Sequence, residues 1–314
     1  MKENTTCSMK RPDWNIDKSS SLIDLSNNVC YDSVLFNQVK DKLNNIDADD
    51  LLNYNNEYEL YSLISRYYNF DISNLAIGYG STELIDRIVR ILHTSKFTIL
   101  SPTFEMVSVY CKMYGATFNE ICYSNFNQID ITTLTDHDVL YIANPNGNNG
   151  HSFTPEEVEY LVCNNKFVII DEAYIEYSNH KSVYQLALKY NNCCILRTFS
   201  KSLGFAGMRC GFVFANPLFI SKLQAIRMNY VSCSISTFLL RNFIDETPAH
   251  VKRMVKAKDF LVRLNFAANS CGNYVYIPIQ FRDAFSWCKY KIIDCDHFRV
   301  TLTDKDIFKS NIGM

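Results

Sequence analysis

The sequence predicts an α/β protein: a large domain with a mostly parallel sheet covered by helices, and a smaller α+β domain beside it. Three observations carry this expectation. Short apolar runs alternate with amphipathic stretches through the middle of the chain, the pattern of strands that cross over through helices. The chain has 314 residues, more than the roughly 250 at which a single core usually stops growing. Only 10 residues are glycine, about half of what the usual ~7 % would give. Gly78, Gly80, Gly147, Gly150, Gly204, Gly207 and Gly211 fall in three short segments, so glycine is kept where backbone geometry demands it.

The first thirty residues are polar and irregular, end in SLIDLSNN, and read as an arm. Between Asp32 and Phe70 the helical spacing of Val34, Leu35, Val39 and Leu43, then of Leu60, Leu63, Ile64 and Tyr67, predicts two helices. The Asn-rich stretch from Asn53 to Asn56 separates them. The alternating units follow: NLAIGYG with STELIDRIVRIL, FTILSPT with FEMVSVYCKMYG, DVLYIANPN with TPEEVEYLVCNN, then KFVIIDEAY, and CCILRTFSKS with GFVFANP. After Asn216 the pattern turns helical from Pro217 through Phe243 and again from Val251 to Leu264, and closes on the strand-like NYVYIPI and HFRVTL. The expected division is an arm at 1–30 that joins the small domain, a large domain at 31–230 and a small domain at 231–314.

Composition narrows the function. Hydrophobic residues at 47 % and charged residues at 20 % are those of a globular chain rather than a disordered one. The 31 basic and 33 acidic residues leave a net charge of -2 with no long single-sign block, so neither nucleic acid nor membrane is an expected partner. No run approaches the ~18 apolar residues of a membrane span, and MKENTTCSMKRPDW lacks the apolar core of a signal peptide, which points to the cytoplasm. The twelve cysteines are scattered without paired CxxC knuckles and read as reduced thiols. The six histidines show neither HxxxH nor HExxH spacing, so no metal is expected.

Four segments place chemistry-bearing residues at strand ends. In TFSKSLGFAGMRCG, Lys201 follows a strand and could serve as an amine nucleophile towards an aldehyde, with Ser200 and Arg209 suited to a phosphate. Taken alone, the segment reads first as a surface lysine beside a loop arginine. In VIIDEAY, Asp171 ends an apolar strand whose burial would desolvate the carboxylate unless a cation pairs with it. A pyridinium nitrogen is such a cation and Tyr174 could reach the ring hydroxyl; a capping aspartate is the ordinary alternative. In GYGSTELI, Ser81 and Thr82 open a helix whose free N–H groups form an anion site, although the segment is also a plain helix cap. In SPTF, Phe104 offers an aromatic face to a planar cofactor, while core packing is the usual fate of such a residue.

In this order and at these positions, the four segments resemble the fold-type-I pyridoxal-phosphate enzymes, specifically the class I/II aminotransferases near histidinol-phosphate aminotransferase and threonine-phosphate decarboxylase. The resemblance spans about Leu22 to Leu302, and its most specific parts are DEAY and the segment around Lys201. It implies a seven-stranded sheet and pyridoxal 5'-phosphate as cofactor. Lys201 would be the Schiff-base lysine and proton shuttle, Asp171 the partner of the pyridine nitrogen, Tyr174 the donor to the ring oxygen, and Phe104 the stacking ring. The phosphate would lie among Ser81, Thr82, Ser200 and Arg209. Tyr54 would cross to the phosphate of a partner subunit, which implies a homodimer with shared sites. Arg299 in HFRVTL would clamp the substrate carboxylate, and Asn273 in NYVYI would lie near the substrate.

The sequence departs from that pattern in two places. The usual Asn-Pro-Thr-Gly turn is replaced by NPNGNNG, where Asn146 is the expected cofactor contact with Asn148 behind it. The second arginine that serves a substrate phosphate is absent, and CKYKIIDCDHFRVTL offers Lys289 and Lys291 instead. The resemblance implies transamination of a small amino acid or phosphorylated amino compound, with decarboxylation of a phosphorylated amino acid as the alternative. A non-catalytic binding protein is disfavoured by the presence of both Lys201 and Asp171. A nicotinamide site fails because GYGSTE lacks the third glycine of GxGxxG.

Overall fold

The computed structural model describes residues 22–122, 129–266, 270–293 and 295–312; most of the expected arm, residues 1–21, lies outside them. The chain opens with β1 (Ile23–Asp24), α1 (Ser33–Leu43), α2 (Ala48–Leu52) and α3 (Glu57–Tyr68). Three helices stand where two were expected. Asp47 accepts from the Asp49 N–H and starts the extra turn, and Asp49 and Asp50 complement its dipole.

The alternating units follow: β2 (Leu75–Tyr79), α4 (Gly80–Leu92), β3 (Phe97–Ser101), α5 (Met106–Tyr114), β4 (Phe118–Cys122), β5 (Val139–Ala143) and α6 (Pro155–Cys163). Next come β6 (Val168–Asp171), α7 (Leu186–Lys189), β7 (Cys193–Thr198), α8 (Phe199–Ser202) and β8 (Cys210–Ala215). Capping is local and strong: Thr154 and Glu157 form a reciprocal capping box at α6, with Pro155 in its first turn.

These strands form one seven-stranded sheet in the order β2-β8-β7-β6-β5-β3-β4. Strand β8 is antiparallel to both neighbours, and the other pairs are parallel. Strands β6 and β7 are buried along their whole length, as apolar strands covered on both faces must be. Leu60, Ile64, Val158 and Ile170 belong to the core on one face, and Leu84, Ile88, Val107 and Ile169 to the core on the other. From β3 the chain runs outward to β4, then returns to place β5, β6 and β7 on the opposite side of β3. Strand order therefore reverses between β3 and β5, and a ligand crevice belongs at the carboxyl ends there.

The remainder comprises α9 (Pro217–Ala225), α10 (Ser234–Phe243), α11 (Thr247–Arg263), β9 (Tyr274–Pro278), β10 (Cys288–Lys289), β11 (Lys291–Ile292), β12 (His297–Thr301) and α12 (Lys305–Asn311). The helix expected over 217–243 is broken, because Tyr230 adopts a φ of 55°, which a helix cannot contain. Strands β11, β12 and β9 make an antiparallel sheet, and β1 pairs in parallel with β10. Leu25 thereby joins Val275, Phe285, Phe298 and Phe308 in a separate core. That core does not begin at the expected boundary of 230/231. Phe238, Leu240 and Phe243 of α10 pack into the core of the large sheet, so the apolar division falls after Ile244. Among the described residues no helix is long and apolar enough to cross a membrane, and every described cysteine is a free thiol.

Candidate active site

A cavity of about 560 Å³ opens at the carboxyl ends of the large sheet, closed on one side by the arm and β12. Lys201, Asp171, Tyr174, Ser81, Thr82, Phe104, Ser200, Arg209 and Arg299 all border it. Residues spread over most of the chain thus meet at the point where strand order reverses.

Lys201 lies on α8, a single turn that Thr198 starts by accepting from the Ser200 N–H. Its Nζ donates to the carbonyl of Asn28 at 2.9 Å and stands 5.9 Å from the centre of the Tyr174 ring. Burial lowers its ammonium from the usual 10.5 to about 8, with the charges of Arg299 and Arg209 acting in the same direction. A lysine so placed is neutral in about a tenth of molecules at pH 7, far more than an ordinary lysine, and the neutral form is what an amine nucleophile requires.

Asp171 ends β6 and is buried. Burial raises its carboxyl above the usual range, opposed by the Tyr141 hydroxyl, which donates at 2.9 Å, and by the Ala173 N–H at 3.0 Å. No cation pairs with it in an ion pair among the described residues, so the acid is set for a positively charged ring nitrogen. Burial also pushes the Tyr174 hydroxyl up to about 12, where it accepts from Nδ2 of Asn28 at 2.8 Å.

At the far end, Ser81 and Thr82 occupy the first turn of α4, where N–H groups lack intrahelical partners and the dipole favours an anion. Arg209 closes this end with no carboxylate ion-paired to it among the described residues. Its guanidinium donates only to the carbonyls of Ala206 and Tyr79. The backbone here is packed to contact. A Cβ on Gly211 would lie 2.3 Å from the Ser81 nitrogen, and one on Gly80 would lie 2.4 Å from Nη2 of Arg209. Anion cradle, buried acid and neutralisable amine together fit pyridoxal 5'-phosphate.

Arg299 on β12 is buried; Nη1 donates to the Gly147 carbonyl at 3.2 Å, and its Nε has no hydrogen-bond partner. Directly opposite it in the β11/β12 register is Lys291, which also lines the cavity. Phe104 lines the wall and is 41 % exposed.

Three expected residues lie elsewhere. Asn146 is buried behind the wall: its Oδ1 accepts from the Asn148 N–H and its Nδ2 donates to the Pro102 carbonyl, so the amide ties this loop to the one after β3. Asn148 is the one that lines the cavity, with Nδ2 donating to the Thr103 carbonyl. Asn273 is fully buried one layer back, where its Nδ2 donates to the Asn28 carbonyl at 2.9 Å. Tyr54 is 79 % exposed and stacks on Tyr230 with ring centres 4.1 Å apart, away from this chain's own cavity.

Asn28 was missed. It adopts a φ of 57°, tolerated by asparagine, and holds both Lys201 and Tyr174. The only available signal was the paired asparagines of SNN in the arm.

A family model described as aminotransferase class I and II matches residues 20–263. The histidinol-phosphate aminotransferase of Brachyspira hyodysenteriae is 30 % identical over 296 residues, covering 87 % of this chain and 80 % of that protein. The histidinol-phosphate aminotransferase of Sinorhizobium meliloti, solved in complex with pyridoxal-5'-phosphate, superposes with a TM-score of 0.72 at 16 % identity, covering 93 % of this chain and 88 % of the other. The L-threonine-O-3-phosphate decarboxylase of Porphyromonas gingivalis gives a TM-score of 0.75 at 16 % identity, covering 93 % and 97 %. With the family model matching well over half of its length, the chain belongs to the class I and II aminotransferase family.

Proposed function

We propose that the protein is a pyridoxal-phosphate-dependent aminotransferase acting on a small amino compound that carries a second anionic group. The observation that carries this reading is the joint placement, in one cavity, of an amine lowered to about 8 at Lys201 and an unpaired buried acid at Asp171. When bound, the cofactor supplies an aldehyde for amines and a ring that accepts electrons from the substrate's α carbon. Asp171 keeps the proton on the ring nitrogen, and Tyr174 donates its hydroxyl to the ring oxygen. Ser81, Thr82, Ser200 and Arg209 hold the phosphate. Lys201, with its Nζ neutral, would take the proton from the substrate's α carbon and hold it at Nζ. Arg299 meets the substrate carboxylate with its planar fork.

Lys291 supports the second anion. Like charges directly opposite on neighbouring strands repel, and a substrate with negative groups at both ends relieves that repulsion. The solvent-facing stack of Tyr54 on Tyr230, near exposed Leu52, Tyr58 and Met228, supports a homodimer in which Tyr54 reaches the partner's phosphate.

Borohydride reduction of the cofactor-loaded protein followed by peptide mapping is expected to label Lys201, and K201A to remain unlabelled. Label on another lysine overturns the assignment. A panel of amino donors with 2-oxo acids should then yield an exchanged amino group. Release of carbon dioxide without any oxo acid would assign the decarboxylase alternative instead.

A further inference from the structure

Behind the wall that bears Lys201 lies a buried polar relay that the reaction proposed above does not use. Helix α8 has four residues, too few to satisfy its own last carbonyls. The N–H groups of Leu203 and Phe205 both donate to the Phe199 carbonyl, and the Lys201 carbonyl takes the Tyr177 hydroxyl instead, at 3.0 Å. Tyr177 stands six residues beyond Asp171, so one short segment supports both functional groups. Its oxygen lies 3.4 Å from Nε2 of His250, a fully buried residue of α11. Nδ1 of that ring donates to Oδ2 of Asp32 at 2.8 Å, and Arg253 donates to the same oxygen. Burial opposes ionisation of Asp32, yet bonds from His250 and Arg253 hold it at about 2, so it acts only as an acceptor.

The relay also curls back to the other end of the lysine. Cys30 lies 3.7 Å from the Tyr177 hydroxyl and accepts from Nδ2 of Asn273 at 3.4 Å. Asn273 in turn holds the Asn28 carbonyl, the acceptor of Lys201 Nζ. Both the main chain and the amine of Lys201 are thus pinned by one connected network drawn from the arm, the large sheet and α11. As a source of stability the arrangement is poor, since buried polar groups of this kind give up hydration that apolar side chains in their place would not have to lose.

We infer that Tyr177, held by His250 and Asp32, is a positioning residue that fixes the Lys201 backbone and so keeps its amine inside the cavity. The inference rests on the proposed role of Lys201 for its significance, though not for its test. Charged or titratable groups around Nζ include Asp171, Tyr174, Cys30, Arg209 and Arg299; Y177F removes none of these side chains, and of them only Cys30 loses a contact, the Tyr177 hydroxyl.

The test measures the amine in the full-length protein before cofactor is added, by the pH dependence of reductive methylation with formaldehyde, read at Lys201 by peptide mass. The wild-type midpoint is expected near 8. Y177F and H250F should raise it by about one unit or more, which at pH 8 cuts the neutral fraction from about one half to about one tenth or less, roughly fivefold. H250Q, which can still offer a polar group to Tyr177, should move it less. A lower melting temperature in Y177F with the midpoint unmoved would show a merely structural relay and overturn the inference. If Y177F does not fold, H250Q and H250F decide by the same midpoint. Failure of borohydride to trap cofactor on wild-type Lys201 would defeat the proposed function while leaving this result standing.

Discussion

Arg299 carries its charge in a buried position, where among the described residues no carboxylate pairs with it: the Gly147 carbonyl accepts from Nη1 and the Tyr274 ring lies 5.2 Å from the guanidinium. Its worth is therefore realised on ligand. R299K keeps the charge and loses the fork, and KM for the amino donor should rise by about 10- to 100-fold, the equivalent of one charge-assisted hydrogen bond of roughly 1.5–3 kcal/mol. Steady-state kinetics check this, and kcat should change much less. Asp171 gives the opposite kind of test. Burial raises its carboxyl, so the native state binds a proton more readily than the unfolded chain, and ionising this acid costs stability as pH rises through its unfolded value of 3.8 and beyond. D171N removes that cost. Before cofactor is added, the variant should melt no lower than wild type at pH 7, with any gain vanishing below pH 3.8, while the loaded enzyme loses roughly 10²- to 10⁴-fold in kcat. A variant that melts far lower would mean that Asp171 is a structural acid.

Helix α4 and strand β8 act as a unit, because the backbone of Gly211 lies against the entry to the helix. The obstacle to a side chain there is main chain, at 2.3 Å and 2.4 Å, and it cannot rotate away. G211A should lower stability by about 1–3 kcal/mol and weaken cofactor binding, read by thermal melting and by cofactor titration. Elements of this kind were legible in the sequence because their signals are local: a glycine pair, a polar first turn, an acid closing an apolar strand. The loop after β5 was less so. Several asparagines close together carry no periodicity to say which faces inward, and the fold uses Asn146 to tie this loop to the one after β3 and sets Asn148 in the cavity wall. Helix α10 shows the same limit at larger size, since an amphipathic face does not announce which of two cores it will join.

At the scale of the whole molecule, the proposed pairing of two chains makes each site composite, and mixing variants exposes it. Protomers bearing K201A and protomers bearing Y54F are each expected to be impaired as homodimers. After denaturation and random reassembly, half of the dimers are mixed and contain one site with both residues intact, so about one quarter of wild-type activity should return. No recovery would place Tyr54 outside the partner's site. Distance along the chain explains what the sequence hid. Asn28 meets Tyr174 across 146 residues and Lys201 across 173, and the SNN beside it names neither partner.

The parallel pairing of β1 with β10 carries a further consequence. Because β10 follows the whole large sheet in the sequence, a growing polypeptide on the ribosome can complete that sheet before the strand that anchors the arm has been made, leaving Asn28 only its contacts with Tyr174 and Lys201. Firm seating of Asn28 on the lysine therefore waits for strands made after the sheet that carries Lys201.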